Sequence, residues 1–193
     1  MTENIIEITS NITNYVFDSI YRKIKEFMKS GYTGDIILLI NCPGGEVNQG
    51  FAIIDLLNLL PNKKIGVIIG KCDSMAGPIF LNCDERYMTQ NSSFMFHGTS
   101  IDLTEGRHDT ADIYKICLKA QKITKKIQEF IKSKTNIPES ELQKIFKSTE
   151  ENYLYADDCL KYGVITKIIS SISELNIIWD TDTFMKNLNN TTK

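Results

Sequence analysis

The chain has 193 residues and a mass of 22.0 kDa, enough for one domain with a substantial core. Its 22 Lys plus Arg against 24 Asp plus Glu leave a formal charge of −2, and no long block of like charge occurs, which argues against nucleic acid or an anionic membrane as partner. With 42% hydrophobic and 24% charged residues the composition is globular. No apolar run approaches the roughly 18 residues of a membrane-spanning helix. The opening MTENIIEITS lacks the basic n-region of a secretory leader, so a soluble, cytoplasmic chain is expected.

The pattern begins with a short apolar strand, Ile5–Ile8, followed by helical spacing over residues 15–28. A second apolar run covers 35–41, a helix-like stretch 47–60, and a third run 65–69. Strands apolar on both faces and separated by helices predict an α/β fold with a parallel sheet covered on both sides. The next helix is expected to start near Ser74, with Asp73 or Ser74 as its cap. Short strands are expected at 86–89 and 93–97. The polar stretch 98–108, with glycines near its ends, reads as a loop or projecting hairpin.

Residues 109–134 predict one long amphipathic helix, with Ile113, Ile116, Cys117, Ala120, Ile123, Ile127, Phe130 and Ile131 along one stripe. It is longer than the ordinary helix of about 11 residues, so it should reach past the core and pack on something else. Pro138 opens a further helix, a strand over 164–169 follows Tyr162-Gly163, and the ending NNTTK reads as a frayed tail.

Five cysteines, Cys42, Cys72, Cys83, Cys117 and Cys159, are odd in number and lie far apart without a CxxC pair. Neither a disulfide framework nor a zinc site fits, and reduced thiols without metal or cofactor are expected. The N-x-S/T triplets at Asn11, Asn91, Asn189 and Asn190 are then chance matches.

Chemistry can be sought at three places. Asn41-Cys-Pro-Gly-Gly-Glu46 joins a buried strand to a helix, and Gly44 and Gly45 leave amide N–H groups uncovered there, as binding a phosphate or an oxyanion requires. It lacks the GK[ST] of a Walker loop and is not GxGxxG. Gly70-Lys-Cys-Asp-Ser-Met-Ala-Gly77 is again a strand-to-helix turn. Ser74 is there either a cap or a nucleophile whose oxyanion is caught by the Met75 amide and a glycine amide of the first turn. Of the only two histidines, His97 ends a strand, where α/β proteins place reacting groups, whereas His108 sits among Glu105, Arg107 and Asp109 and looks solvated.

Asn41-Cys-Pro-Gly-Gly-Glu-Val47, Asp73-Ser-Met-Ala-Gly77, Phe94-Met-Phe-His-Gly98 and Tyr155-Ala-Asp-Asp-Cys-Leu-Lys-Tyr-Gly163, in that order, resemble the Clp protease proteolytic subunit family from about residue 5 to 169. The resemblance implies an α/β Clp/crotonase-like superhelix of repeated ββα/βαβ units with a projecting handle helix. The chain would divide into an α/β head (1–97 and 136–170), a handle (98–135) and a C-terminal tail (171–193). It further implies a serine endopeptidase with Ser74 as nucleophile, His97 as general base, and the Gly45 and Met75 amides as oxyanion hole. Gly44, Gly98 and Thr99 would lie along the bound peptide. Counting back from Tyr162-Gly163 puts the family's acid on Glu151, with Asn152, Asp157 and Asp158 as alternatives.

The family resemblance also implies unfolded protein or peptide as substrate, a homo-oligomer built as a heptameric ring, and a Clp-type ATPase as partner. Three positions depart from the pattern. Cys42 stands where the family usually has Ser or Thr. Glu150 replaces an Arg that pairs across two stacked rings, which puts the double ring in question. The first strand begins already at Ile5, so a different axial entrance is expected. Rival readings are a crotonase-type acyl-CoA enzyme, a cysteine hydrolase using Cys72, and an inactive ring subunit.

Overall fold

Residues 3–100, 107, 109–147 and 152–175 are described by a computed structural model of the chain. The chain opens with β1 (Ile5–Ile8), α1 (Asn14–Ser30), β2 (Ile36–Cys42), α2 (Val47–Asn58) and β3 (Lys64–Asp73). Then come α3 (Ala76–Leu81), β4 (Glu85–Thr89) and β5 (Ser93–Phe96). The remainder is α4 (Thr110–Lys134), α5 (Glu139–Lys147), β6 (Asn152–Tyr155), α6 (Ala156–Lys161), β7 (Lys167–Ile169) and a 3-10 turn at Ile172–Glu174.

Strands β1-β2-β3-β4-β7 form a parallel sheet. Period-two alternation divides its faces. Along β2, Ile36, Leu38, Ile40 and Cys42 enter one core cluster, while Ile37 and Leu39 enter the other. Every described α-helix contributes buried apolar side chains to the first cluster: Val16, Ile20, Ile24 and Phe27 of α1, for example, at helical spacing. The second cluster is small, Ile5, Ile37, Ile65, Val67 and Ile169 closed by Leu175. Helical cover of the second face is not seen among the described residues. Among the described residues the second face is covered only by the segment around Leu175.

β3 is longer than its apolar run suggests and changes neighbours along its length. Ile65–Ile68 pair in parallel with β4, and Lys71–Asp73 pair with β5. On its other side the register with β2 shifts, from Ile40 opposite Ile68 to Cys42 opposite Cys72. Such a bulge re-aims a strand, and the Asn41 side chain closes it by accepting the Lys71 N–H at 3.2 Å. The re-aimed end carries Asp73 directly toward β5, so the residues following both strands meet. β6, which periodicity does not reveal, runs antiparallel to β5 with Phe96 opposite Asn152.

Asp109 caps α4 by accepting the Ala111 N–H at 2.8 Å. Only Ile127 and Ile131, in its second half, are buried, and they pack with Leu142 and Ile145 of α5. The first half leaves Tyr114, Ile116 and Leu118 exposed, as a helix too long for the core should. No described helix is long and apolar enough to cross a membrane. Residues 101–106, His108 and the tail from 176 onward lie outside the described residues.

Candidate active site

The turn between β2 and α2 is held by the β1–α1 connection. Ile12 donates its N–H to Gly44 O at 2.8 Å, and its carbonyl accepts the Glu46 N–H at 2.9 Å, a one-residue parallel bridge between Ile12 and Gly45. In such a bridge the flanking residues supply the bonds, so the Gly45 N–H itself is turned away from Ile12. Both glycines are required: Gly44 has φ 95 and Gly45 φ 145. A Cβ on Gly44 would lie 2.6 Å from the Ser74 Cβ, and one on Gly45 2.4 Å from the Ile12 carbonyl oxygen.

Ser74 is not the helix cap that its position suggests. α3 begins at Ala76 with Met75 as N-cap residue and no side-chain cap. Ser74 instead has φ 52, the one non-glycine residue with positive φ among those described, a conformation costing about 1 kcal/mol for an L-residue. Its backbone is held there by Ser74 N–H donating to Met95 O at 2.7 Å and by Gly77 N–H donating to Ser74 O at 3.1 Å. A hydroxyl at this sharp strand-to-helix turn stands clear of the sheet and stays partly exposed. Beside it, the Met75 side chain is buried against Gly50 of α2, which fixes the Met75 peptide. Among the described residues no protein acceptor takes the Gly45 or the Met75 amide hydrogen.

His97 follows β5 and is half-buried. Its Nδ1 is 2.5 Å from the Gly98 carbonyl oxygen. A carbonyl can only accept, so Nδ1 carries the hydrogen and the neutral ring keeps its lone pair on Nε2. No hydrogen bond joins Ser74 Oγ to the imidazole, although both face the same groove. Thr99 is tied to α4: its N–H donates to Thr124 Oγ1 at 3.0 Å, and that hydroxyl donates to Thr99 Oγ1 at 2.9 Å. The Thr99 N–H is thus not available to a ligand in the groove.

A groove of about 560 Å³ runs past Gly45, Ser74, Met75, His97, Gly98 and Thr99, with Val47 and Ile127 as apolar wall. Gly44 lies behind Ser74, against its Cβ. The structure therefore brings together seven of the eight residues expected at the site, and Glu151 lies outside the described residues. Asn152 sits beside the site opposite Phe96, whereas Asp157 and Asp158 are exposed in the first turn of α6. Ile12 and Thr124, which brace the glycine turn and the strand after His97, escape sequence reading. Each acts through a contact with a residue far away in the chain, and neither carries a local motif.

The buried thiols are poor nucleophiles. Cys72 is fully buried, and desolvation pushes it well above the ordinary thiol range, with Cys42 adding to the shift. A hydroxyl next to unclaimed amide donors and an imidazole with a free Nε2 is the equipment for acyl transfer: attack on a carbonyl, stabilisation of the oxyanion, proton shuttling.

The sequence profile of the family described as Clp protease matches residues 1–172. The ATP-dependent Clp protease proteolytic subunit of Lactococcus lactis subsp. cremoris is 25% identical over 90% of this chain and 86% of its own length. That of Streptococcus mutans is 26% identical over 89% and 87%, and the proteolytic subunit 3 of Rhodococcus jostii is 31% identical over 73% and 68%.

Proposed function

The chain belongs to the Clp protease family and is a serine-type peptidase, and from that premise we propose that Ser74 and His97 carry the hydrolysis of unfolded polypeptides or peptides laid along the groove. The Ser74 hydroxyl attacks the scissile carbonyl while Nε2 of His97 takes its proton. The oxyanion is received by the amides of Gly45 and Met75, and the proton passes to the leaving amine. Water then repeats the sequence on the acyl-enzyme and releases the second fragment. The peptide backbone lies against Gly44, Gly98 and Thr99, adding a strand beside the segment after His97.

The observation that carries this reading is the meeting, in one groove, of a serine at positive φ, an imidazole with its Nε2 lone pair free, and two amides without acceptors. Glu151 is the third member in this proposal, on grounds of connectivity. Asn152 pairs with Phe96, and Glu151 and His97 are the next residues along the two segments. The finer setting rests on family membership: a heptameric homo-oligomeric ring in the cytoplasm, fed by a Clp-type ATPase.

Hydrolysis of a short fluorogenic peptide by the pure protein, compared with Ser74→Ala, tests the proposal. Loss of at least about a thousandfold in the variant is expected from removing a triad nucleophile, together with covalent labelling of Ser74 by a fluorophosphonate. Equal rates in the two proteins reject catalysis by this serine and leave the inactive-subunit reading. Native mass measured with and without the inhibitor tests the ring.

A further inference from the structure

Behind the glycine turn lies a cysteine that the reaction itself does not use. Cys42 ends β2 and has no exposed surface. Its sulfur accepts the Gly44 N–H at 3.3 Å and donates its own hydrogen to the Ser10 carbonyl at 3.1 Å, with the Gly44 carbonyl further away at 3.8 Å. We propose that Cys42 is a positioning residue for the oxyanion hole: its thiol holds the Gly44 peptide so that the next amide, that of Gly45, faces the groove.

Each part of the geometry bears on this. Pro43 has no N–H, so Gly44 has the first amide after Cys42, and the sulfur takes it. That amide is then unavailable to an oxyanion, which leaves the hole to Gly45. The single thiol hydrogen goes to the nearer carbonyl, that of Ser10, two residues before the Ile12 bridge to Gly45. The turn is therefore braced from behind by one sulfur and from the side by one backbone bridge. Burial raises the thiol above its ordinary value, against the lowering by the Gly44 N–H, and the protonated sulfur supplies the hydrogen that the Ser10 contact needs.

The inference rests on the proposed use of Gly45 as an oxyanion donor. The full chain is prepared as wild type, Cys42→Ser and Cys42→Ala. A hydroxyl can make the same two bonds and an alanine neither. Loss of a whole oxyanion donor costs about 10²–10³ in kcat. Cys42→Ala should lose at least about tenfold in kcat with KM within about twofold, and bind a peptide boronate more weakly by the same factor as kcat falls. Cys42→Ser should restore most of both.

A loss shared equally by Ser and Ala variants means that sulfur volume alone matters and overturns the proposal. So does an alanine variant with wild-type kcat and boronate affinity. If the peptide assay shows no dependence on Ser74, it is the functional reading that has failed. Amide exchange of residues 43–46 by mass spectrometry then decides the positioning role alone: faster by at least about fivefold in Cys42→Ala than in Cys42→Ser supports it, and equal exchange overturns it.

Discussion

His97 Nδ1 lies 2.5 Å from the carbonyl oxygen of the very next residue, Gly98. The backbone thus does part of what an acidic partner does in a catalytic triad, which is to select the tautomer that leaves Nε2 basic. Replacing a triad carboxylate by its amide can cost about 10⁴ when the amide locks the wrong tautomer. Here Gly98 already holds the right one. Glu151→Gln is therefore expected to lower kcat by only about 10–100-fold, against a loss of at least about 10³ for His97→Ala. Peptide hydrolysis by the two variants checks this, and equal losses would mean that the Gly98 carbonyl does not suffice.

Gly44→Ala tests the close approach of the turn to the serine. The new methyl would lie 2.6 Å from Ser74 Cβ and 2.7 Å from Asp73 O, at φ 95. Neither neighbour can retreat without moving Ser74. Fluorophosphonate labelling of Ser74 should slow by at least about a hundredfold, because a displacement near 1 Å in a catalytic constellation has that cost. Labelling at the wild-type rate would refute the packing argument.

The two halves of α4 should respond differently to truncation. Ile131 is fully buried, and Ile131→Ala should cost about 2–5 kcal/mol in chemical unfolding. Tyr114 is 65% exposed, and Tyr114→Ala should stay within about 0.5 kcal/mol for the unassembled chain. If the exposed stripe is an assembly surface, native mass is where the Tyr114 variant should differ.

Glu174 gives a pH dependence of defined sign. The Lys167 ammonium foremost, then the N–H groups of Ser170 and Ser171, hold its carboxyl down at about 2 from 4.5. A depressed folded value means that its contribution is complete above pH 4.5 and fades as pH falls toward 2. The stability difference between wild type and Glu174→Gln should accordingly shrink from pH 6 to pH 3. A difference that holds constant or widens over that range contradicts the assignment.

Thiol chemistry separates serine from cysteine catalysis. Cys42, Cys72, Cys83 and Cys159 are buried, with desolvation raising all four, and Cys117 is exposed on α4. Iodoacetamide should modify one thiol per native chain, at Cys117, without loss of peptidase activity. Inactivation that tracks modification of Cys72 would restore the thiol as candidate nucleophile.

Local pattern was enough where a residue's role depends on its near neighbours. The strand Ile5–Ile8, the helices around 15–28 and 109–134, and the serine and histidine at strand ends are all legible from periodicity and turn chemistry. Local pattern misleads at Ser74. A serine before an apolar helix looks like a cap, but its conformation is set by a hydrogen bond to Met95, on another strand. β6 is missed because four residues with alternating half-buried and exposed side chains make sense only opposite β5.

The amino-acid order alone settled the parallel α/β architecture and the chemical groups on offer, since both follow from burial periodicity and side-chain identity within a few residues. Tertiary structure alone decided that β3 turns from β4 to β5, that Ile12 braces the glycine turn, and that the Cys42 thiol reaches the Ser10 carbonyl. These are pairings between residues distant in sequence. They arise when the collapsed chain must satisfy every buried donor and acceptor at once, a condition that no local window contains.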